Sequence, residues 1–212
     1  MKFFKSADSE LVIARIKYLA KPQKGLSNEV NDWRNDNWKN NVSKRGLPMI
    51  QAAHKHGIAT QYGELNVAVV RDGVVTPYGL ASLRVVTNNG VAAIVNSFLN
   101  TFENENFKYH GIGTGTGAEA ASDSALGTEL TTQYNPDNTR ATGTLATTAS
   151  NIFQTVATNN VDAAVAVTEH GIFSQAATGG GTLLDRSVFS AVNLAIGDGI
   201  QTDYRLTFTA GG

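Results

Sequence analysis

The feature that most constrains this chain is a rhythm of short apolar runs and turns through residues 139–209. The cleanest run is Gly199–Thr209. Ile200, Tyr204, Leu206 and Phe208 fall on one face of it, and Gln201, Asp203, Arg205 and Thr207 on the other. Strict alternation marks a half-buried strand with its apolar side inward. Upstream lie 181–190, fenced by glycine turns, then 163–173 with Val165, Val167 and Ile172. Before those come 151–158 with Ile152, Phe153 and Val156, and the threonine-rich 139–148. Strands at this spacing, cut by Gly and Asn/Asp turns, predict an all-β antiparallel sandwich, jelly-roll or immunoglobulin-like.

The β pattern begins earlier. Leu65, Val67, Val69 and Val70 lead into Arg71-Asp72-Gly73, a hairpin turn, and then Val74 and Val75. Residues 80–87 and 107–113 read as further strands. Between them the period changes: Val91, Ile94, Val95, Phe98 and Leu99 recur at helical spacing, with an asparagine to cap the start. This predicts one packed α-helix near 90–100, its apolar face against the sheet. The sandwich domain is therefore set at 65–212.

Residues 1–64 read differently. Residues 5–20 predict a short strand or extended segment feeding a helical turn, broken by Pro22 and Gly25. Residues 27–48 hold six Asn and two Trp in 22 residues, and Asn and Asp favour turns over regular structure. Lys and Arg exceed Asp and Glu by 11 to 5 in residues 1–60, and fall short by 6 to 13 in 61–212. The expectation is an extended N-terminal arm, with Trp33, Trp38, Arg34 and Arg45 as anchors on a neighbouring chain, because Trp and Arg dominate interface energetics. Packing of the two tryptophans on their own domain is the plainer alternative. Nucleic acid is the weaker reading of the basic head, since its charges are spread among Asn and Asp.

Composition closes some classes. With no cysteine, disulfides and thiolate metal sites are excluded. No apolar run approaches the roughly 20 residues that span a bilayer, and the start lacks a signal peptide's apolar core, so a product not exported by the usual route is the expectation. His54 and His56 are separated by one residue, but no third metal ligand is identifiable beside them, and a solvated loop or short helix is the reading.

The glycine run His110-Gly-Ile-Gly-Thr-Gly-Thr-Gly117 invites comparison with a phosphate loop. It ends in Ala118-Glu119 instead of Lys-Ser/Thr, and strands follow it instead of an alternating β/α chain. A tight turn or close backbone approach is the reading. Ala118–Leu130 is expected to hold a short helix capped by Ser122. Glu169 and Arg186 sit inside the strand-rich region and predict an ion pair, across neighbouring strands or across a subunit seam. His110-Gly111-Ile112 is echoed by His170-Gly171-Ile172.

Residues 107–115 with Ala125–Leu130, Thr139–Gly143, Thr168–Phe173 and Leu183–Phe189 together resemble a group of tailed-bacteriophage virion structural proteins, over about residues 85–210. The resemblance implies a virion part assembled in the host cytoplasm, with no catalytic residues, no cofactor and no metal. The lead expectation is a non-enzymatic capsid decoration or cement protein. It would bind the major capsid protein or other virion proteins and its own copies, as a homo-oligomer, through the arm. A tail, baseplate or fibre subunit is the alternative, followed by a carbohydrate- or receptor-binding module. No membrane partner is expected.

Overall fold

The structure, a computed structural model, describes residues 7–56, 58, 60–84 and 86–209. Two antiparallel sheets share one apolar core. Strands β1 (Thr60–Arg71), β2 (Val74–Arg84), β4 (Tyr134–Asn135), β6 (Thr144–Ala149), β7 (Ile152–Val161) and β10 (Gly199–Thr209) make the first sheet. Its order is β2-β1-β10-β7-β4, with β6 also on β7. Strands β3 (Tyr109–Gly113), β5 (Ala141–Thr142), β8 (Val165–Phe173) and β9 (Leu183–Leu194) make the second, in the order β5-β3-β8-β9. Leu65, Val67, Ile200, Tyr204 and Leu206 of the first sheet meet Ile112, Val167, Ile172, Phe189 and Val192 of the second in that core.

The local signals explain the elements they predicted. Asp72 and Gly73 both take positive φ, 49° and 76°, so Arg71 pairs directly with Val74. A two-residue turn with both φ positive matches the twist of the strands it joins. β10 runs over Gly199–Thr209 as its alternation predicts, although Phe208 at its end is 40% exposed.

The N-terminal residues overturn the extended arm. Helix α1 covers Ala7–Ala20, α2 Asn28–Asn37, a π-helix Trp38–Gly46, and α3 Leu47–His56. Ile16, Ala20, Val42, Leu47 and Ile50 from these helices close over Tyr62, Leu80 and Leu83 on the outer face of β1 and β2. β1 is thus covered on both faces. It starts at Thr60, so a boundary at residue 64/65 would cut through it. His54 and His56 fall at the end of α3.

Helix α4 spans Asn88–Phe98, capped by Thr87, whose hydroxyl accepts from Gly90 N–H. Only Ile94 of the expected apolar face packs against the core. Gly90 and Ala93 face the sheet, while Val91, Val95 and Phe98, with Leu99 just beyond, are 38, 53, 84 and 68% exposed. Thr87 N–H donates to Leu184 O at 2.9 Å and its hydroxyl to Leu183 O at 2.6 Å. These bonds draw the helix start onto β9 so closely that a Cβ on Gly90 would collide with Leu184 O. No helix forms in 118–130; that segment is irregular.

Candidate functional site

The glycine run does cradle an anion, and the anion is the chain's own. Glu169, on β8, is fully buried. Its Oε1 accepts from Gly115 N–H at 2.9 Å and Thr128 N–H at 2.6 Å. Its Oε2 accepts from Gly127 N–H at 2.9 Å and from the Arg186 guanidinium at 2.9 and 2.7 Å. A Cβ on Gly115 would collide with that carboxylate, which is why the loop needs glycine there. Arg186 also holds Asp123 at 3.0 Å and Gly117 O at 3.2 Å. Glu169 and Arg186 therefore meet across neighbouring strands of one chain and clasp the 114–128 loop to the sheet. A buried carboxylate is tolerated only when its lone pairs are filled in this way.

A second clasp escaped the sequence reading. Arg140 is 1% exposed. Its guanidinium grips Glu129 at 2.5 and 2.9 Å, donates to Gln175 O and Gly180 O at 3.0 and 2.8 Å, and stacks 3.4 Å above the Phe173 ring. Both partners lie inside the blocks that carry the resemblance, but nothing in their spacing announced a pair.

The two His-Gly-Ile motifs prove to be pairing partners. Gly111 sits opposite Gly171, so His110 faces Ile172 and Ile112 faces His170. The two imidazoles lie diagonally on the inner face, within reach of each other. His110 Nδ1 is 3.0 Å from His170 Nε2 and 2.7 Å from the Thr202 hydroxyl, and His110 Nε2 is 3.1 Å from the Thr155 hydroxyl. Thr155 and Thr202 belong to the other sheet, so His110 ties the sheets together. Burial pushes His110 well below its ordinary pKa, with the neighbouring ring adding to the effect, and burial lowers His170 to about 3. Both rings are neutral at physiological pH. Among the described residues, no cluster of three or more His, Cys, Asp or Glu is placed to hold a metal ion.

Two of the expected arm anchors, Trp33 and Arg34, are buried inside the chain. Trp33 is 6% exposed, packs edge-on to Tyr78 and donates its indole N–H to Ser190 O at 2.7 Å. Arg34 is buried and donates to Tyr78 O at 2.6 Å and Lys21 O at 3.3 Å. Trp38 is partly buried in the helix–sheet cluster, with the Lys21 ammonium 5.0 Å from its ring. Arg45 is exposed and pairs with Glu119 at 2.5 Å. Burial removes Trp33 and Arg34 from the expected role of anchors on a neighbouring chain, while Trp38 and Arg45 keep exposed surface beside their internal contacts. The residue that explains the cluster was missed. Asn37, fully buried, donates to Leu80 O and Ala81 O on β2 at 3.1 and 2.8 Å, and accepts from Ser190 N–H on β9 at 3.1 Å. β2 and β9 are the outermost strands at one end of each sheet. Helix α2 thus plugs the seam between two open edges, and its side chains fill the backbone groups a missing strand would have filled.

Among the described residues, the surface carries open polar clefts and an apolar groove. A cleft of about 430 Å³ is lined by Arg15, Asn66, Gln201, Asp203 and Arg205 among others, and one of about 340 Å³ by Arg45, Met49, Thr87, Glu119 and Arg186 among others. Their charged walls are already paired: Arg15 with Glu64, Arg205 with Asp203, Arg45 with Glu119. The groove, about 210 Å³, runs beside α4 between Ile94, Phe107, Phe153, Leu206 and Phe208. Among the described residues, no helix is long and apolar enough to cross a membrane. No protein-family model matches this chain, and no curated protein matches it either.

Proposed function

We propose that this chain is a non-enzymatic structural subunit of a tailed-bacteriophage particle: a β-sandwich that decorates the shell, touching other virion proteins and its own copies. The observation that supports a structural role is the internal commitment of its chemistry. Glu169, Arg186, Arg140, His110 and His170 are the groups a hydrolase would expose, and here each is buried among partners that fix loops or join sheets. The plugged seam at β2 and β9 suits the same role. A subunit packed at high local density must not pair with its neighbours through open strand edges. The virion setting itself is supported by the motif resemblance over about residues 85–210.

The proposed attachment is through the surface of the folded body, since residues 7–56 are largely helical and Trp33 and Arg34 are buried within the chain. The test is immunogold labelling of purified particles carrying an epitope-tagged chain. Label in a regular array over the shell is the expected result. Label confined to the tail would move the protein to a tail, baseplate or fibre subunit. Particles free of the protein would overturn the virion reading.

A further inference from the structure

The outward face of α4 has no role in the fold. Val91, Val95 and Phe98 form a stripe along the helix at four- and three-residue spacing, with Leu99 beside it, all exposed. That spacing is the seam of one helix against another. Solvent gives no reason to hold Phe98 at 84% exposure, and contiguous exposed apolar surface of this kind marks a contact.

Charge decides what the contact is with. From Val85 to Phe102 the sequence carries no Asp, Glu, Lys or Arg. The exposed polar residues along the helix and just beyond it are Asn88, Asn89, Asn96, Asn100 and Thr101, with the first charge, Glu103, past the stripe's end. An amide both donates and accepts, so a rim of asparagines is complementary to a copy of itself. A rim of lysines or glutamates would repel its copy. A neutral apolar stripe gains nothing from a charged partner. It fits another neutral apolar stripe with an amide rim, and a second copy of this chain presents one.

We infer that two copies pair through α4 about a twofold axis, stripe against stripe. In such a contact each residue near the axis meets its own counterpart. The area sets the strength. The exposed parts of Val91, Val95, Phe98 and Leu99 come to on the order of 400 Å² per copy, about half of the roughly 800 Å² per partner in a standard stable interface. The pairing is therefore weak for free chains and becomes complete where many copies are held together. It is a property of the isolated chain and does not depend on the virion proposal.

The absence of cysteine makes the test clean. Val95→Cys places a single thiol at the centre of the stripe, and Val74→Cys places one on the exposed β1–β2 hairpin at the other end of the molecule. Under mild oxidation Val95→Cys should give a disulfide-linked dimer, and Val74→Cys should not. Sedimentation velocity of the native chain should show mass rising with concentration, and Phe98→Asp should abolish the rise without changing the melting temperature. Three results would overturn the pairing. One is a native chain that stays monomeric at every concentration with no Val95→Cys dimer. Another is association that survives Phe98→Asp. The third is a monomer that binds phosphatidylcholine vesicles through Phe98, which would give the face to lipid.

Discussion

Acidification should destabilise this protein steeply from about pH 6.5 downward. His110 and His170 are buried at 0 and 1% exposure and contact each other and two threonine hydroxyls. Folded, they stay neutral: His170 falls to about 3 and His110 well below its ordinary value, both chiefly by burial. Unfolded, each takes a proton near pH 6.5. Below that pH the unfolded chain binds more protons, so stability falls as pH falls, until the folded-state values are reached. Each ring contributes about 1.4 kcal/mol per pH unit, and the pair about 2.7. Between about pH 7.5 and pH 5 the loss comes to about 4 kcal/mol, a large share of the 5–15 kcal/mol typical of a folded domain. Asp198 acts later. Burial alone would raise Asp198, but Ala195 N–H and Arg71 hold its charged form and keep it below its ordinary value. Its share is lost only as pH falls below about 4. The assay is guanidinium unfolding at constant ionic strength across pH 7.5 to 5, read by tryptophan fluorescence. A midpoint that falls steadily below pH 6.5 with an unchanged slope is the expected result. A midpoint flat to about pH 5 would mean that the folded core takes the protons, and would refute the assignment of both rings as neutral and sealed.

The other predictions concern the plugged seam. Asn37→Ala should cost at least about 3 kcal/mol in chemical unfolding, because Leu80 O, Ala81 O and Ser190 N–H are left buried together. Asn37→Asp should fare no better, since it turns an acceptor toward two carbonyls; a loss under about 1 kcal/mol for either would count against the clamp. Trp33→Ala should cost about 3–5 kcal/mol and lower the melting temperature sharply. Trp38→Ala, at the partly buried site, should cost clearly less; equal and negligible effects would return both residues to a surface role.

Where chain pattern and burial coincide, the sequence was readable. β10 alternates because one of its faces meets the core, and Asp72-Gly73 turns because only such residues accept its backbone. α4 was readable as a helix and misread in orientation, for a physical reason. Apolar residues go almost all round it, so periodicity could not choose a face. Close approach to β9 chose the small side, Gly90 and Ala93, and left the large side outside. The histidine pair was half visible as an echo. Its meaning needed the register that sets Gly111 against Gly171.

The N-terminal helices were illegible because their weak local preference is offset from outside. Asn lowers helix propensity since its side chain competes for backbone partners. In α2 those side chains bond to other elements instead: Asn31 holds Gln23, and Asn37 holds β2 and β9. The same mechanism explains why the segment looked like an interface. An open sheet edge and a subunit surface pose one physical problem, unpaired backbone groups beside apolar area. Trp, Arg and Asn answer it in both settings, the ring covering apolar surface while N–H groups reach carbonyls. Trp33 to Ser190 O, Arg34 to Tyr78 O and Asn37 to Leu80 O are contacts a partner chain could have received. Composition identifies the problem being solved; only the path of the chain from Pro22 back over β2 decides that the strand edge being covered is its own.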